Sequence, residues 1–139
     1  MIKYDHPIKI YYKDIDQMGI VYYSRYYEYF EEARTELLRS IGLDVMDLER
    51  RGIILPVISS HCVYKKGAKF EQNILVKASI NSKPRSRLHI DYLVFIDNEK
   101  DFIVSGYTEH AFVNKRGQAV RAPKMILDQL SPKDTKFLG

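Results

Sequence analysis

From Ser24 to Ile41 the chain places apolar side chains at Tyr26, Tyr29, Phe30, Ala33, Leu37 and Ile41, with polar residues between them. That three- and four-residue spacing predicts an amphipathic helix. Ser24 is placed to cap its start, after a loop from Gln17 to Tyr23, and Gly42 offers a left-handed stop. A shorter helix is expected from about Asp44 to Arg51, ending at Gly52. The period then changes to two. Ile74, Val76, Ala78 and Ile80 alternate with mostly polar residues, and so do Leu88, Ile90, Tyr92, Val94 and Ile96. Each run reads as a strand with one covered face.

The remaining segments fit around these elements. Lys9-Ile10-Tyr11-Tyr12 reads as a short first strand, and Ile53 to Tyr64 as a strand interrupted only by Pro56. Asp97 to Asp101 is a polar hairpin loop, from which Phe102 to Val113 returns as a strand. Lys115-Arg116-Gly117 is a turn, and Gln118 to Arg121 extends the edge. Pro123 opens a short helix over Lys124 to Leu130, since proline suits a first helical turn. Strands that follow helices in a run argue for an α+β fold. The long helix and the sheet each have one apolar surface to cover, and a curved antiparallel sheet wrapped around a central helix covers both. No repeat or linker divides the chain, so residues 1–139 are read as one domain.

Composition narrows the function. The chain is 45% hydrophobic and 29% charged, with a net charge of +4. A mild positive balance favours anionic ligands, such as phosphorylated cofactors or acidic carrier proteins. The positive charges are interspersed with acids and form no basic arm, which argues against nucleic acid. No apolar run is long enough to span a membrane, and the polar start lacks a signal-peptide core. The single Cys62 cannot form an internal disulfide, which fits a reducing compartment and a cytoplasmic location.

The richest stretch for chemistry runs from Tyr12 to Tyr23. It carries Asp14 and Asp16 into Gly19 just before the long helix begins. An acid there faces the positive end of a helix dipole, so one group can activate water or attack a carbonyl while the other holds the resulting oxyanion. Either aspartate could instead bond its own turn backbone. Asp16 has the more apolar surroundings, in Ile15, Met18, Ile20, Val21, Tyr22 and Tyr23, and partial desolvation there would raise its pKa. Asp14, further back, is expected to order the loop. Free N–H groups at Tyr23 and Ser24 would suit a developing negative oxygen, although capping by Ser24 competes for the same donors.

These residues carry a family resemblance. Tyr12-Lys-Asp-Ile-Asp-Gln-Met-Gly-Ile-Val-Tyr-Tyr23, followed by Tyr26, Phe30-Glu31, Ala33-Arg34 and Glu36-Leu37, resembles the hot-dog-fold thioesterases. The similar branch holds 4-hydroxybenzoyl-CoA thioesterase and the YbgC-like acyl-CoA thioesterases. The likeness is dense from Ile10 to Leu38 and looser through Tyr64-Lys-Lys-Gly-Ala68, Arg87 to Asp97 and Pro123-Lys124. It implies a central helix gripped by an antiparallel sheet, with Asp16 as nucleophile or general base and the Tyr23 backbone N–H as oxyanion donor. Tyr12, Gly19, Val21, Tyr22 and Tyr26 would line the substrate site. Chains would join edge to edge in a homodimer or homotetramer whose sites draw on both copies. Coenzyme A would be part of the substrate, so no separate cofactor is implied. The chain departs from the pattern at Tyr23, where many YbgC-like members have histidine, and at Gly67, where proline is usual.

Other candidates are weaker. His6, His61, His89 and His110 lack metal-ligand spacing, so no metal is expected. Cys62 has no signalled base, and no Gly-x-Ser-x-Gly elbow occurs. Arg85 and Arg87, with Lys83, form one basic cluster, while Arg116, Arg121 and Lys124 form another. Either could meet the phosphates of coenzyme A or an acyl carrier protein, or be solvated turn charge. Eleven tyrosines, several crowding the helix start, suit an acyl or aryl cavity or a subunit contact. Two readings follow: hydrolysis of an acyl-CoA thioester, or of an acyl-carrier-protein thioester in its place, against a non-catalytic acyl- or CoA-binding or assembly protein on the same scaffold.

Overall fold

The computed structural model describes residues 2–131. Strand β1 (Ile2–Lys9) leads through a one-turn 3-10 segment (Tyr12–Asp14) to the long helix α1 (Arg25–Ser40) and the short helix α2 (Val45–Arg50). Strands β2 (Val57–Tyr64), β3 (Asn73–Ile80), β4 (Arg87–Ile96), β5 (Phe102–Val113) and β6 (Ala119–Val120) follow, and helix α3 (Lys124–Leu130) comes last. The long strands form one antiparallel sheet in the order β1-β3-β4-β5-β2, and β6 pairs with the end of β5.

The alternation in sequence becomes the two faces of this sheet. Leu88, Ile90, Tyr92, Val94 and Ile96 of β4 are buried, as are Ile74, Val76, Ala78 and Ile80 of β3. Helix α1 lies on that covered face with Tyr26, Tyr29, Phe30, Ala33, Leu37 and Leu38 turned inward. Phe30 stacks flat on Tyr92 at 4.2 Å between ring centroids, with 5° between the planes. Gly106 on β5 makes this approach possible. A Cβ there would lie 2.5 Å from the His61 carbonyl oxygen and 2.9 Å from the Phe30 ring.

Three sequence expectations change. The first strand ends at Lys9 instead of running to Tyr12, and it begins at Ile2. Ile2, Tyr4, His6 and Ile8 alternate as a strand should, and Pro7 is tolerated because β1 is a sheet edge. Second, the segment before β2 is not one strand from Ile53. Ile54 bridges Val113 in both directions at 3.0 Å, Pro56 breaks the run, and the regular strand starts at Val57. Third, the sheet therefore has five long strands, where β1 had been expected only as a short piece beside four. Gly42 and Gly52 do sit at positive φ, +84° and +83°, as helix stops. Asp44, at the head of α2, caps it through the Met46 and Asp47 N–H groups.

β2 is unlike its neighbours. It forms the second edge of the sheet, and Val57, Ile58, Val63 and Tyr64 are all exposed in the single chain.

Candidate active site

The loop into α1 is built by short backbone closures. Gly19, at φ +79°, turns the chain, and its N–H donates to the Asp16 carbonyl at 3.0 Å. The Asp16 N–H donates to the Ile20 carbonyl at 2.9 Å. The Val21 N–H then donates to the Ala68 carbonyl at 2.9 Å, which pins the loop to the segment after β2. Asp14 is 4% exposed and has an ordering role, as expected. Its carboxylate accepts the Tyr11 N–H at 2.9 Å, and its carbonyl accepts the Tyr22 N–H at 2.9 Å. Arg25 Nε stands 3.9 Å from the same carboxylate.

Asp16 forms the expected turn contact, since its Oδ1 accepts the Met18 N–H at 2.8 Å. Among the described residues its Oδ2 makes no hydrogen bond. The turn therefore fixes one oxygen and leaves the other unbonded, so the turn contact does not preclude a chemical use of this aspartate.

At the helix start Ser24 does not cap. It takes a helical φ of −70° and ψ of −18°, and its side chain makes no capping hydrogen bond. The N–H groups of Arg25, Tyr26 and Tyr27 close back onto the carbonyls of Tyr22, Tyr23 and Ser24. Among the described residues, those of Tyr23 and Ser24 find no acceptor. The competition expected for these donors does not arise, and two N–H groups remain at the positive end of a sixteen-residue helix.

Asp16 and Tyr23 line one cavity of about 330 Å³, together with Ile20, Val21, Tyr26, Tyr64, Lys65, Lys66 and Gly67. Tyr26 is buried, and its hydroxyl accepts the Ala68 N–H at 3.4 Å. Tyr64 stands edge-on to Tyr23 and tilted against Tyr26, at 6.2 and 5.7 Å between centroids. Its hydroxyl donates to the Tyr23 carbonyl at 3.2 Å. Burial, and then the neighbouring Cys62, push the Tyr64 pKa well above the usual phenol value, so it stays protonated and donates. The Cys62 thiol is likewise raised by burial, which leaves it a poor nucleophile.

Other expected site residues lie apart from this cavity. Tyr12 is 74% exposed and meets Phe70 edge-on at 5.8 Å. Tyr22 leans on Tyr23 at 4.7 Å but faces outward, and Gly19 shapes the turn without lining the cavity. The apolar wall expected around Asp16 is thus partial. Ile20 and Val21 supply it, while Met18, Tyr22 and Tyr23 are exposed in one chain.

The two basic clusters form one patch, because the Ala122 N–H donates to the Arg85 carbonyl at 2.7 Å. Arg87 pairs across the strands with Ala111 and reaches Glu109 at 3.8 Å, and Arg121 and Lys124 flank Ala122. Arg116 sits in the nearby turn, where its backbone N–H donates to the Asn114 side chain. Within one chain this patch lies far from Asp16. Tyr64 pairs with Val104 and Arg87 with Ala111, seven positions further along β5, or about 23 Å at ~3.3 Å per residue.

Sequence reasoning gave no site role to Tyr64, Lys65 or Lys66. The available signal was the Tyr-Lys-Lys-Gly-Ala run, whose glycine and alanine meet the loop before α1. A Cβ at Gly67 would lie 2.6 Å from that of Ile20, and Ala68 is fully buried.

Comparison with known proteins fits this architecture. The pattern of the Thioesterase-like superfamily matches residues 11–130, and the chain belongs to that family. A provisionally named esterase of Aquifex aeolicus is 31% identical over 122 residues, covering 88% of this chain and 93% of that protein. Acyl-CoA thioesterase YbgC of Haemophilus influenzae is 30% identical over 79 residues, 56% of this chain and 58% of that protein. DHNA-CoA thioesterase from Staphylococcus aureus superimposes with a TM-score of 0.81 at 27% identity, covering 98% of this chain and 88% of that one. The fold is shared with 4-hydroxybenzoyl-CoA thioesterase, at a TM-score of 0.84 and 17% identity over 94% of this chain and all of that one. The hot-dog fold and the thioester-hydrolase class expected from the sequence both stand. No helix among the described residues is long and apolar enough to cross a membrane.

Proposed function

We propose that the protein hydrolyses an acyl-CoA thioester to the free acid and coenzyme A. One observation carries this reading: Asp16, with a free carboxylate oxygen, lines one cavity with Tyr23, whose N–H at the head of α1 is unpartnered among the described residues. The thioester carbonyl oxygen takes the Tyr23 N–H, where the helix dipole and a fixed donor favour the oxyanion of the tetrahedral state. Asp16 acts in one of two ways. As nucleophile, its oxygen bonds to the carbonyl carbon, the C–S bond breaks, and coenzyme A leaves as thiolate; water then cleaves the mixed anhydride. As general base, it takes a proton from water, whose oxygen bonds to the carbonyl carbon; the C–S bond breaks, coenzyme A leaves as thiolate, and Asp16 gives up the proton to restore its carboxylate. Neither route calls for a metal or a separate cofactor. The lone Cys62 supports a reducing, cytoplasmic setting.

The assembly we propose is a dimer joined along the exposed edge of β2, as a unit or as half of a tetramer. Antiparallel pairing of two β2 edges sets the Tyr64 end of one copy beside the Val57 end of the other. The basic patch sits at the Val57 end, since Pro56 accepts the Ala111 N–H and Ala111 pairs with Arg87. Arg85, Arg87, Arg116, Arg121 and Lys124 of a second copy would then meet the CoA phosphates while Asp16 meets the thioester. An acyl carrier protein is the alternative donor, because its acidic surface would meet the same patch.

A panel of aliphatic and aryl acyl-CoAs, read by thiol release, tests the activity. Release above the buffer rate on at least one member is expected, and none on any member would leave only the binding reading. Light scattering of Ile58→Lys/Val63→Lys tests the assembly. A folded monomer that has lost hydrolysis is expected.

A further inference from the structure

A second cavity, of about 340 Å³, lies at the other end of α1, between that helix, α2 and the segment before β2. Its walls are apolar, chiefly Leu38, Leu48, Ile53, Leu55, Leu88 and Ile90. Arg34, Thr35 and His110 bring polar groups to it.

His110 is 2% exposed and fully engaged. Its Nδ1 meets the Leu55 carbonyl at 2.9 Å, and its Nε2 meets the Thr108 hydroxyl at 2.8 Å, which meets the Tyr92 hydroxyl at 2.7 Å. Burial, opposed by the Leu55 bond and reinforced by the Arg34 charge, keeps this imidazole neutral. His110 therefore does not supply the charge of this cavity.

Arg34 does, and it is under-partnered. Its side chain is 16% exposed, yet among the described residues its one ion pair is to Glu31 at 3.8 Å, and Glu31 is itself 70% exposed. A guanidinium has five donors and is costly to hold out of water without acceptors. Arg34 also faces the Tyr92 hydroxyl, and these two partners leave most of its five donors without an acceptor among the described residues. A planar anion fits such a fork better than any neutral group. Glu31 and Glu49 line the same cavity and offer acidic groups near it, but the Glu31 pair is already too long for a hydrogen bond.

We infer that this cavity binds a free carboxylic acid with an apolar body, its carboxylate on Arg34 and Thr35 and its hydrocarbon against Leu38, Ile53 and Leu88. The site is separate from the Asp16 cavity in the chain. Its ligand class includes the acid that the proposed hydrolysis releases, but binding there does not depend on that reaction.

Decanoate is the probe, with decanol as its uncharged counterpart. Methyl-resolved NMR of the whole protein should show saturable decanoate shifts at Leu38, Ile53, Leu55 and Leu88. Arg34→Gln should weaken binding by about tenfold or more, the loss of one charge-assisted contact of ~1.4 kcal/mol. Asp16→Asn should leave it unchanged, which separates this site from the catalytic proposal. Ile54→Trp, which fills the mouth and leaves the guanidinium in place, should block binding even if the Arg34 variant fails to fold. Shifts confined to the surroundings of Asp16 and Tyr64 would overturn the inference. So would equal affinity for decanol, or full affinity in the Ile54→Trp protein.

Discussion

The Tyr64 hydroxyl donates to the Tyr23 carbonyl across 3.2 Å, tying the last residue of β2 to the loop that opens α1. The Tyr23 carbonyl shares one rigid peptide plane with the Ser24 N–H and is two backbone torsions away from its own N–H, so this contact restrains the loop that carries both donors. Tyr64→Phe keeps the ring packing and removes the tether. A net hydrogen-bond contribution of about 0.5–1.5 kcal/mol predicts a two- to tenfold fall in kcat with KM little changed. Steady-state kinetics on the best substrate of the panel, with circular dichroism to confirm the fold, would check this.

Asp16→Asn is a clean test of the acid. An amide oxygen still accepts the Met18 N–H, so the turn survives. What disappears is the negative charge. Turnover should fall by about 10²–10⁴-fold while the protein stays folded and still binds coenzyme A; near-full activity would refute the role. For the wild type, a single turnover in labelled water separates the two routes, because only nucleophilic attack places the label in the Asp16 carboxylate.

Two histidines should tilt the pH–stability curve in opposite senses. His110 has a folded pKa below its ordinary value because burial disfavours the cation. Below about pH 6.5 the unfolded chain takes up that proton first, so stability falls as pH drops toward the folded pKa. His89 is the reverse case. Burial alone would lower its pKa, but hydrogen bonds to Glu109 at 3.1 Å and Asp91 at 3.0 Å outweigh it and raise the net value. Its contribution is full below about pH 6.5 and is lost as pH rises through the folded pKa. Urea midpoints from pH 5 to 8 should show the acid-side decline flattened in His110→Gln and the higher-pH decline flattened in His89→Gln.

Gly106→Ala should be strongly destabilising. The added methyl meets a backbone oxygen at 2.5 Å and an aromatic ring at 2.9 Å, and neither can move without shifting β2 or α1. Overpacking of this kind costs about 1–3 kcal/mol or more. A lowered urea midpoint with an unchanged slope is the expected result.

The interior of the fold was legible because periodicity reports burial. The stripe on α1 and the alternation in β3 and β4 both became the core, with Leu38 added and Ile41 left partly open. The edges were less legible. Pro7 obscured β1, since only tertiary position reveals that its missing N–H faces away from the sheet. Asp16 and Tyr23 stood out as candidates because a turn glycine and a helix start lie within a few residues of them. Tyr64 did not, because it reaches the site from forty-one residues away, through strand pairing that no local pattern encodes. The convergence of Arg85 with Arg121 and Lys124 was hidden for the same reason.

The bare flank of β2 also bears on how this protein should be measured. Val57, Ile58 and Val63 are exposed in the single chain, and in the proposed dimer they would leave water, so part of the hydrophobic stabilisation would belong to association. Along the proposed seam, melting temperature becomes a function of protein concentration, rising with dilution reversed. On the proposed mechanism, activity per chain should fade in assays run at high dilution, as each Asp16 would lose the neighbour proposed to hold the CoA phosphates.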